Sequence, residues 1–349
     1  MALAATLCVM LAAVLALLIW RGTVRPESTA VTTAPITVDN AGGVALLQLL
    51  EGHQQAARSL AFSPDGAHLA SGSFDGTVRV WQVGGGVDEG QLVRVYETDG
   101  HALRTIAFAP DGATLAAGSF QRTIFLWDTQ TGAVQHALQG QQGAINSVDF
   151  SPDGTLLASG AGDGTVWLWD VVAEDAPHSD VAHSALQGHP GGVMSVQFAP
   201  AGQTLASAAR DHTVRLWNVE LPFAASTVLA THGSWVYDVA FSPNGDLVAS
   251  ASVDRSLQLW RQDDARSSQQ LSGHEATVYS VAFSPGGELL ASSAADGGVR
   301  LWRASDGATL AVLPPHSGSV LSVAFSPDGT LLATAASDGL VRLWGVAAQ

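Results

Sequence analysis

Ser151-Pro152-Asp153-Gly154-Thr155-Leu156-Leu157-Ala158-Ser159-Gly160-Ala161-Gly162-Asp163-Gly164-Thr165-Val166-Trp167-Leu168-Trp169-Asp170 decides how this chain folds. Proline presets one turn dihedral and glycine supplies a positive φ, so the opening Ser-Pro-Asp-Gly reads as a tight turn. A small, apolar strand follows it. Asp163-Gly164, set between two apolar runs, is a strong hairpin signal, and the alternating stretch beyond it ends on Trp-Asp.

The same pattern returns in phase along the chain. Its closing tryptophans are Trp81, Trp127, Trp169, Trp217, Trp260, Trp302 and Trp344, about 44 residues apart, the period of four-stranded propeller blades. The central turns begin at Ser63, Ala109, Ser151, Ala199, Ser242, Ser284 and Ser326, each preceded by a phenylalanine. A Gly-His pair or its relic opens each unit at His53, His101, Gln141, His189, His232, His274 and His316. On these residues the chain resembles the WD-repeat β-propeller family from about residue 44 to 346. The resemblance implies an all-β fold, a seven-bladed β-propeller of four-stranded blades. The strand pattern agrees: in Thr77-Val78-Arg79-Val80-Trp81 successive side chains point to opposite faces, and neither face is uniformly polar. One such sheet cannot bury both faces alone, whereas a closed ring buries them all.

The chain ends predict how the ring closes. After most closing tryptophans a further strand precedes the next Gly-His, as at residues 133–138 and 308–313, yet too few residues follow Trp344 for one. Residues 44–50 stand before His53 with the same spacing. They are therefore expected to complete the last blade and hide its edge.

Composition narrows the partners. The formal charge is −16, with 31 acidic against 15 basic residues, and every basic residue is arginine. A nucleic-acid backbone demands a basic face, so nucleic acid is not expected as a partner. The lone cysteine, Cys8, lies in an apolar run, so the repeats carry no disulfide. Residues 2–20 contain no charge and Arg21 follows directly. As a helix that run is about 28 Å long, which matches a membrane's hydrocarbon thickness. Residues 1–21 are read as one N-terminal transmembrane helix ahead of the propeller, with a cleaved signal segment as the competing reading. Residues 22–43 read as a Ser/Thr/Pro-containing linker, 44–346 as the propeller and 347–349 as a tail. Arg21 and Arg25 place the main body in the cytoplasm by the positive-inside count. The stalk-like composition of residues 27–40 suits an extracytoplasmic linker equally well, and both topologies stand at this point.

The resemblance also implies a hydrogen-bonded tetrad of His, Ser/Thr, Asp and Trp in each blade. Carried over, these are His53, Ser71, Asp75 and Trp81 in blade one, and His189, Ser207, Asp211 and Trp217 in blade four. Blade five offers His232, Ser250, Asp254 and Trp260; blade six His274, Ser292, Asp296 and Trp302; blade seven His316, Thr334, Asp338 and Trp344. Blade two departs, with Ala117 and Gln121 at two positions, and blade three has Gln141 for histidine, so these two are expected to be the least rigid. A His, Ser and Asp recurring at the same turn positions in five blades read as structural glue rather than as a catalytic triad. Gly160, Gly162 and Gly164 span a strand and its hairpin with no helix after them, which does not make a phosphate loop. Glu174, Asp175, His178, Asp180, His183 and His189 fit no metal-ligand spacing, and a solvated acidic loop accounts for them. No metal, cofactor or catalytic residue is assigned.

In the family, partners meet three positions per blade: two on the inner strand, six and four before the phenylalanine, and the residue before the tetrad aspartate. Here these are Ala56, Arg58 and Phe74; Ala102, Arg104 and Phe120; Ala144, Asn146 and Gly162; and Gly192, Met194 and Arg210. The last three blades give Trp235, Tyr237 and Val253; Thr277, Tyr279 and Ala295; and Ser319, Leu321 and Ser337. Aromatic residues and arginine dominate interface hot spots. Arg58, Phe74, Arg104, Phe120, Met194, Arg210, Trp235, Tyr237 and Tyr279 are therefore the expected protein-binding set on the top face. The expectation is a monomeric, membrane-tethered scaffold for a protein or peptide partner, with no catalysis. The alternative is an extracytoplasmic ligand-sensing propeller working with a signalling enzyme.

Overall fold

A computed structural model describes residues 33–84, 90–171, 184–219, 226–262 and 264–347. The apolar span over 1–21, the start of the linker and the acidic loop from Glu174 to His183 lie outside the described residues. Among the described residues, the strands form seven antiparallel sheets taken in chain order, each one blade. Blade one runs Ala57–Phe62, His68–Ser73, Thr77–Gln82 and Leu92–Glu97 from the inside outward. The remaining inner strands are Leu103–Phe108, Ile145–Phe150, Val193–Phe198, Val236–Phe241, Val278–Phe283 and Val320–Phe325. Each packs beside the next, and Val320–Phe325 packs beside Ala57–Phe62, so the ring is closed. Among the described residues no helix is long and apolar enough to cross a membrane.

The turn chemistry is the one the sequence dictates. Gly154 sits at φ 73° and donates its N–H to Ser151 at 2.8 Å. Ser151 Oγ donates to Asp153 at 2.6 Å and accepts the Leu156 N–H at 2.9 Å, locking the hairpin from within. The equivalent glycine has positive φ in all seven blades, a conformation that costs other residues the clash of a Cβ.

The core lies between blades rather than inside any one of them. Leu50, Ala57, Leu69, Trp81, Leu331 and Leu343 are buried together at the junction of blade seven and blade one. Leu50 belongs to the N-terminal strand Ala45–Leu50, which pairs with Val341–Ala347 in the register Ala45↔Gly345, Leu49↔Arg342 and Leu50↔Val341. Blade seven therefore takes its outer strand from the other end of the chain, as the spacing predicts. The cover extends further than the composition suggests. Thr33–Ala34 also pairs with the end of the same strand, and Ile36 and Ala41 are buried against Trp344 and its neighbours. Residues 33–43, expected as linker, are drawn onto blade seven by these apolar contacts and by the Ile36 N–H donated to the Gly329 carbonyl at 2.8 Å.

Every inner strand holds one residue more than the strand it pairs with. In blade one Ala57 faces Ser73 while Ser59 faces Gly72, leaving Arg58 as the extra residue. The same slip leaves Arg104, Asn146, Met194, Tyr237, Tyr279 and Leu321 as the extra residues of the other six blades. Such bulges re-aim side chains and bend a strand. Here seven of them form a ring at one end of the channel.

Candidate protein-binding face

The seven bulged residues are gathered at the mouth of a central channel of about 510 Å³ lined by the inner strands of all seven blades. Tyr237 and Tyr279 meet edge to face, ring centroids 5.0 Å apart. Arg104 lies 5.9 Å from the Phe120 ring centre and Arg210 lies 4.9 Å from that of Trp235. Phe120 is 58% exposed and Trp235 41%, so the mouth has an aromatic rim in water. Phe74 is half-buried. Arg58 reaches across the seam between blades seven and one to donate to the Leu321 carbonyl at 3.0 Å. Met194, expected on the exposed face, is only 4% exposed. Its sulfur lies 3.4 Å from Arg210 Nε and 3.7 Å from Asn146 Nδ2, and these two side chains cover it. It supports the mouth from beneath.

Burial lowers the pKa of Arg104 to about 10, with Arg58 and Arg210 adding like-charge repulsion. Burial also lowers that of Arg58, against the opposing pull of Asp238.

Two channel carboxylates were not singled out by the sequence reading. Asp238 accepts from Ser195 Oγ at 2.7 Å and from the Val281 N–H at 3.0 Å, bridging blades four, five and six. Asp149 accepts the Phe198 N–H of blade four at 2.7 Å. They join a belt of seam contacts in which Ser59, Thr105 and Ser147 each accept an N–H from the next blade at 3.1 Å. Burial pushes both carboxyls up, Asp149 to about 7. The signal was present in sequence, since an aspartate on an innermost strand must find buried partners.

The tetrads are complete in blades one, four and six. In blade four His189 Nδ1 meets Asp211 at 2.8 Å, its Nε2 meets Ser207 Oγ at 2.6 Å, and Trp217 Nε1 donates to that hydroxyl at 2.8 Å. Burial lowers the His189 pKa, offset in part by Asp211. Ser71, Ser207 and Ser292 are fully buried, so these hydroxyls cannot reach a substrate.

Blades five and seven depart from the expectation. In blade five His232 holds Asp254 and Ser250, but Trp260 Nε1 is buried without a partner among the described residues. In blade seven His316 and Trp344 share Thr334, but Asp338 turns to Arg342, whose guanidinium wedges between it and His316. Burial and that guanidinium lower the His316 pKa to about 4.

Blade three rebuilds its network around Gln141, which links Ser159 to Thr165 and so to Asp163, while Trp169 donates to Ser159. Blade two replaces hydrogen bonds by rings: His101 packs edge-on against Phe125, which stacks on Trp127, which meets Tyr96. Of the six acidic-loop residues, only His189 is described. Among the described residues, no group of three or more His, Cys, Asp or Glu side chains is placed to hold a metal ion.

Seven stretches match the family model for the WD domain, G-beta repeat: residues 45–82, 90–128, 132–170, 181–218, 225–261, 265–303 and 307–345. The first begins at the closing strand, so the repeat unit in sequence is offset from the blade by one strand. A segment of 34 residues is 65% identical to Protein Notchless of Drosophila melanogaster, covering 10% of this chain and 7% of that one. Seven in-phase matches over most of the chain, on a closed ring of seven four-stranded blades, mean that this protein belongs to the WD-repeat β-propeller family.

Proposed function

We propose that this chain is a non-catalytic scaffold that binds a protein or peptide partner at the mouth of its propeller, tethered to a membrane through residues 1–21. The observation that carries the reading is the ring of seven bulged residues, flanked by exposed Trp235 and Phe120. A rigid ring presenting aromatic and arginine side chains around a depression supports recognition of a partner. The uncharged run over residues 2–20 supports the tether, and Arg21 with Arg25 favours the cytoplasmic side. Protease protection in spheroplasts separates this topology from an extracytoplasmic sensor.

The binding face is tested by partner recovery with the Trp235→Ala/Tyr237→Ala/Tyr279→Ala variant. Losing three aromatic anchors at about 1–2 kcal/mol each is expected to lower recovery by more than about tenfold. Unchanged recovery from a folded variant rules the face out.

A further inference from the structure

The chain has twice as many acidic as basic residues, yet the mouth inverts that balance. Its twenty-one family positions include Arg58, Arg104 and Arg210 and not one aspartate or glutamate. Among the described residues none of the three arginines has a carboxylate within ion-pair distance. Arg104 Nε is buried and unpartnered, and Arg58 spends one N–H on a carbonyl. Asp238 lies deeper in the channel, with both carboxylate oxygens already occupied by Ser195 and the amides of Val239 and Val281. Arg58 and Arg104 are desolvated in the mouth while Arg210 stands exposed at its rim; a desolvated cation without a counter-ion is costly, and an incoming anion relieves that cost. Guanidinium groups suit carboxylates because they present planar, paired donors.

The surroundings narrow the anion. One residue beyond six of the mouth positions stands a hairpin aspartate: Asp75, Asp163, Asp211, Asp254, Asp296 and Asp338. This acidic outer ring repels an extended polyanion such as a nucleic-acid backbone, while the centre attracts a short anionic segment. Arg58 and Arg104 stand on neighbouring blades and Arg210 stands two blades further on, a spread that suits several spaced carboxylates better than one phosphate. Trp235, Phe120, Tyr237 and Tyr279 supply apolar contacts between them. Resting on the reading of the mouth as a partner-binding face, we infer that its partner is an acidic protein segment whose unmodified Asp or Glu side chains pair with Arg58, Arg104 and Arg210, beside an apolar or aromatic residue.

The test selects short random peptides on the full chain and measures synthetic copies by fluorescence anisotropy. Arg104→Gln/Arg210→Gln is the working variant, since Arg58 supports the seam with blade seven; its thermal unfolding is measured alongside. The expected result is binders enriched in Asp and Glu, weakened at least about tenfold by the double substitution and weakened steeply by added salt. Neutral binders lost on Trp235→Ala but kept on Arg104→Gln/Arg210→Gln overturn the charge inference and leave the binding face standing. Binders indifferent to both substitutions overturn both. Phosphoserine in place of glutamate that raises affinity more than about tenfold overturns the assignment to unmodified carboxylates.

Discussion

Deleting residues 1–50 is expected to abolish cooperative unfolding, whereas deleting residues 1–32 leaves the transition in place. The longer deletion strips Val341–Ala347 of its two N-terminal partner strands, leaving it paired only with Leu331–Ala336, and uncovers Leu343, Val341 and Trp344, which are buried to within a few per cent. Leu50 alone, 2% exposed, accounts for about 2–5 kcal/mol if truncated to alanine. Together with the strand's ladder of hydrogen bonds and the buried contacts of Ile36 and Ala41, that loss rivals the about 5–15 kcal/mol that holds a typical domain folded. The bare edge also invites pairing with a second chain, so the longer deletion is expected to aggregate. Denaturant melts followed by tryptophan fluorescence, with light scattering, check both. A sharp, reversible transition in the chain lacking residues 1–50 contradicts the role given to the closing strand.

Asp149→Asn is expected to stabilise the protein above neutral pH and to have little effect below about pH 3, where an aspartate is protonated both folded and unfolded. Burial holds the native carboxyl at about 7, above its ordinary 3.8. A group whose folded pKa is raised contributes no penalty below the unfolded value and costs stability as pH rises from there through the folded value. Displacement by about three pH units, at about 1.4 kcal/mol each, sets a ceiling on the order of 4 kcal/mol. Asparagine keeps an oxygen for the Phe198 N–H and carries no charge, so the penalty disappears and the hydrogen bond stays. The buried tetrad histidines act in the opposite sense on the acid side, because their lowered pKa values make them resist protonation. They are common to both proteins and cancel in the difference. Chemical denaturation of the pair across pH checks the prediction; a stability difference that does not grow between about pH 4.5 and 8.5 refutes it.

Most of the scaffold was legible because blades repeat. A turn that needs glycine at a positive φ, a strand that alternates and a tryptophan at a fixed distance are local requirements, and local requirements leave marks in sequence. The closing strand was legible for the same reason, since residues 44–50 keep the spacing of an outer strand with no blade of their own before them. The bulges went unread although they too left a mark. Ala57 and Leu60 are the buried residues of their strand and stand three apart rather than two, and in blade five Val236 and Val239 are likewise buried three apart. That broken alternation is what turns Arg58 and Tyr237 into the mouth.

The rest depends on contacts between elements far apart in the chain. Arg342 wedges between His316 and Asp338 in blade seven, where the other blades with arginine at that position, at Arg79, Arg215 and Arg300, keep the histidine–aspartate contact. Nothing in the local pattern separates those cases. Met194 looks like an interface residue until Arg210 and Asn146 are seen to cover it. That Asp149 needs a buried partner shows in its place on an innermost strand, but that the partner is the Phe198 amide of the next blade does not.

The closed ring is tested most directly by a disulfide between its two chain ends. With Cys8→Ser removing the native thiol, Leu49→Cys/Arg342→Cys places cysteines on residues that face each other in register. Facing residues in an antiparallel pair have Cα atoms about 4.5–5.5 Å apart, within reach of a disulfide. The pair is expected to oxidise nearly completely within the folded monomer and to migrate faster without reductant, whereas Gln48→Cys/Arg342→Cys, one residue out of register and on opposite faces, crosslinks poorly. Failure of the in-register pair to crosslink, or equal crosslinking of both pairs, contradicts the closed seven-bladed ring.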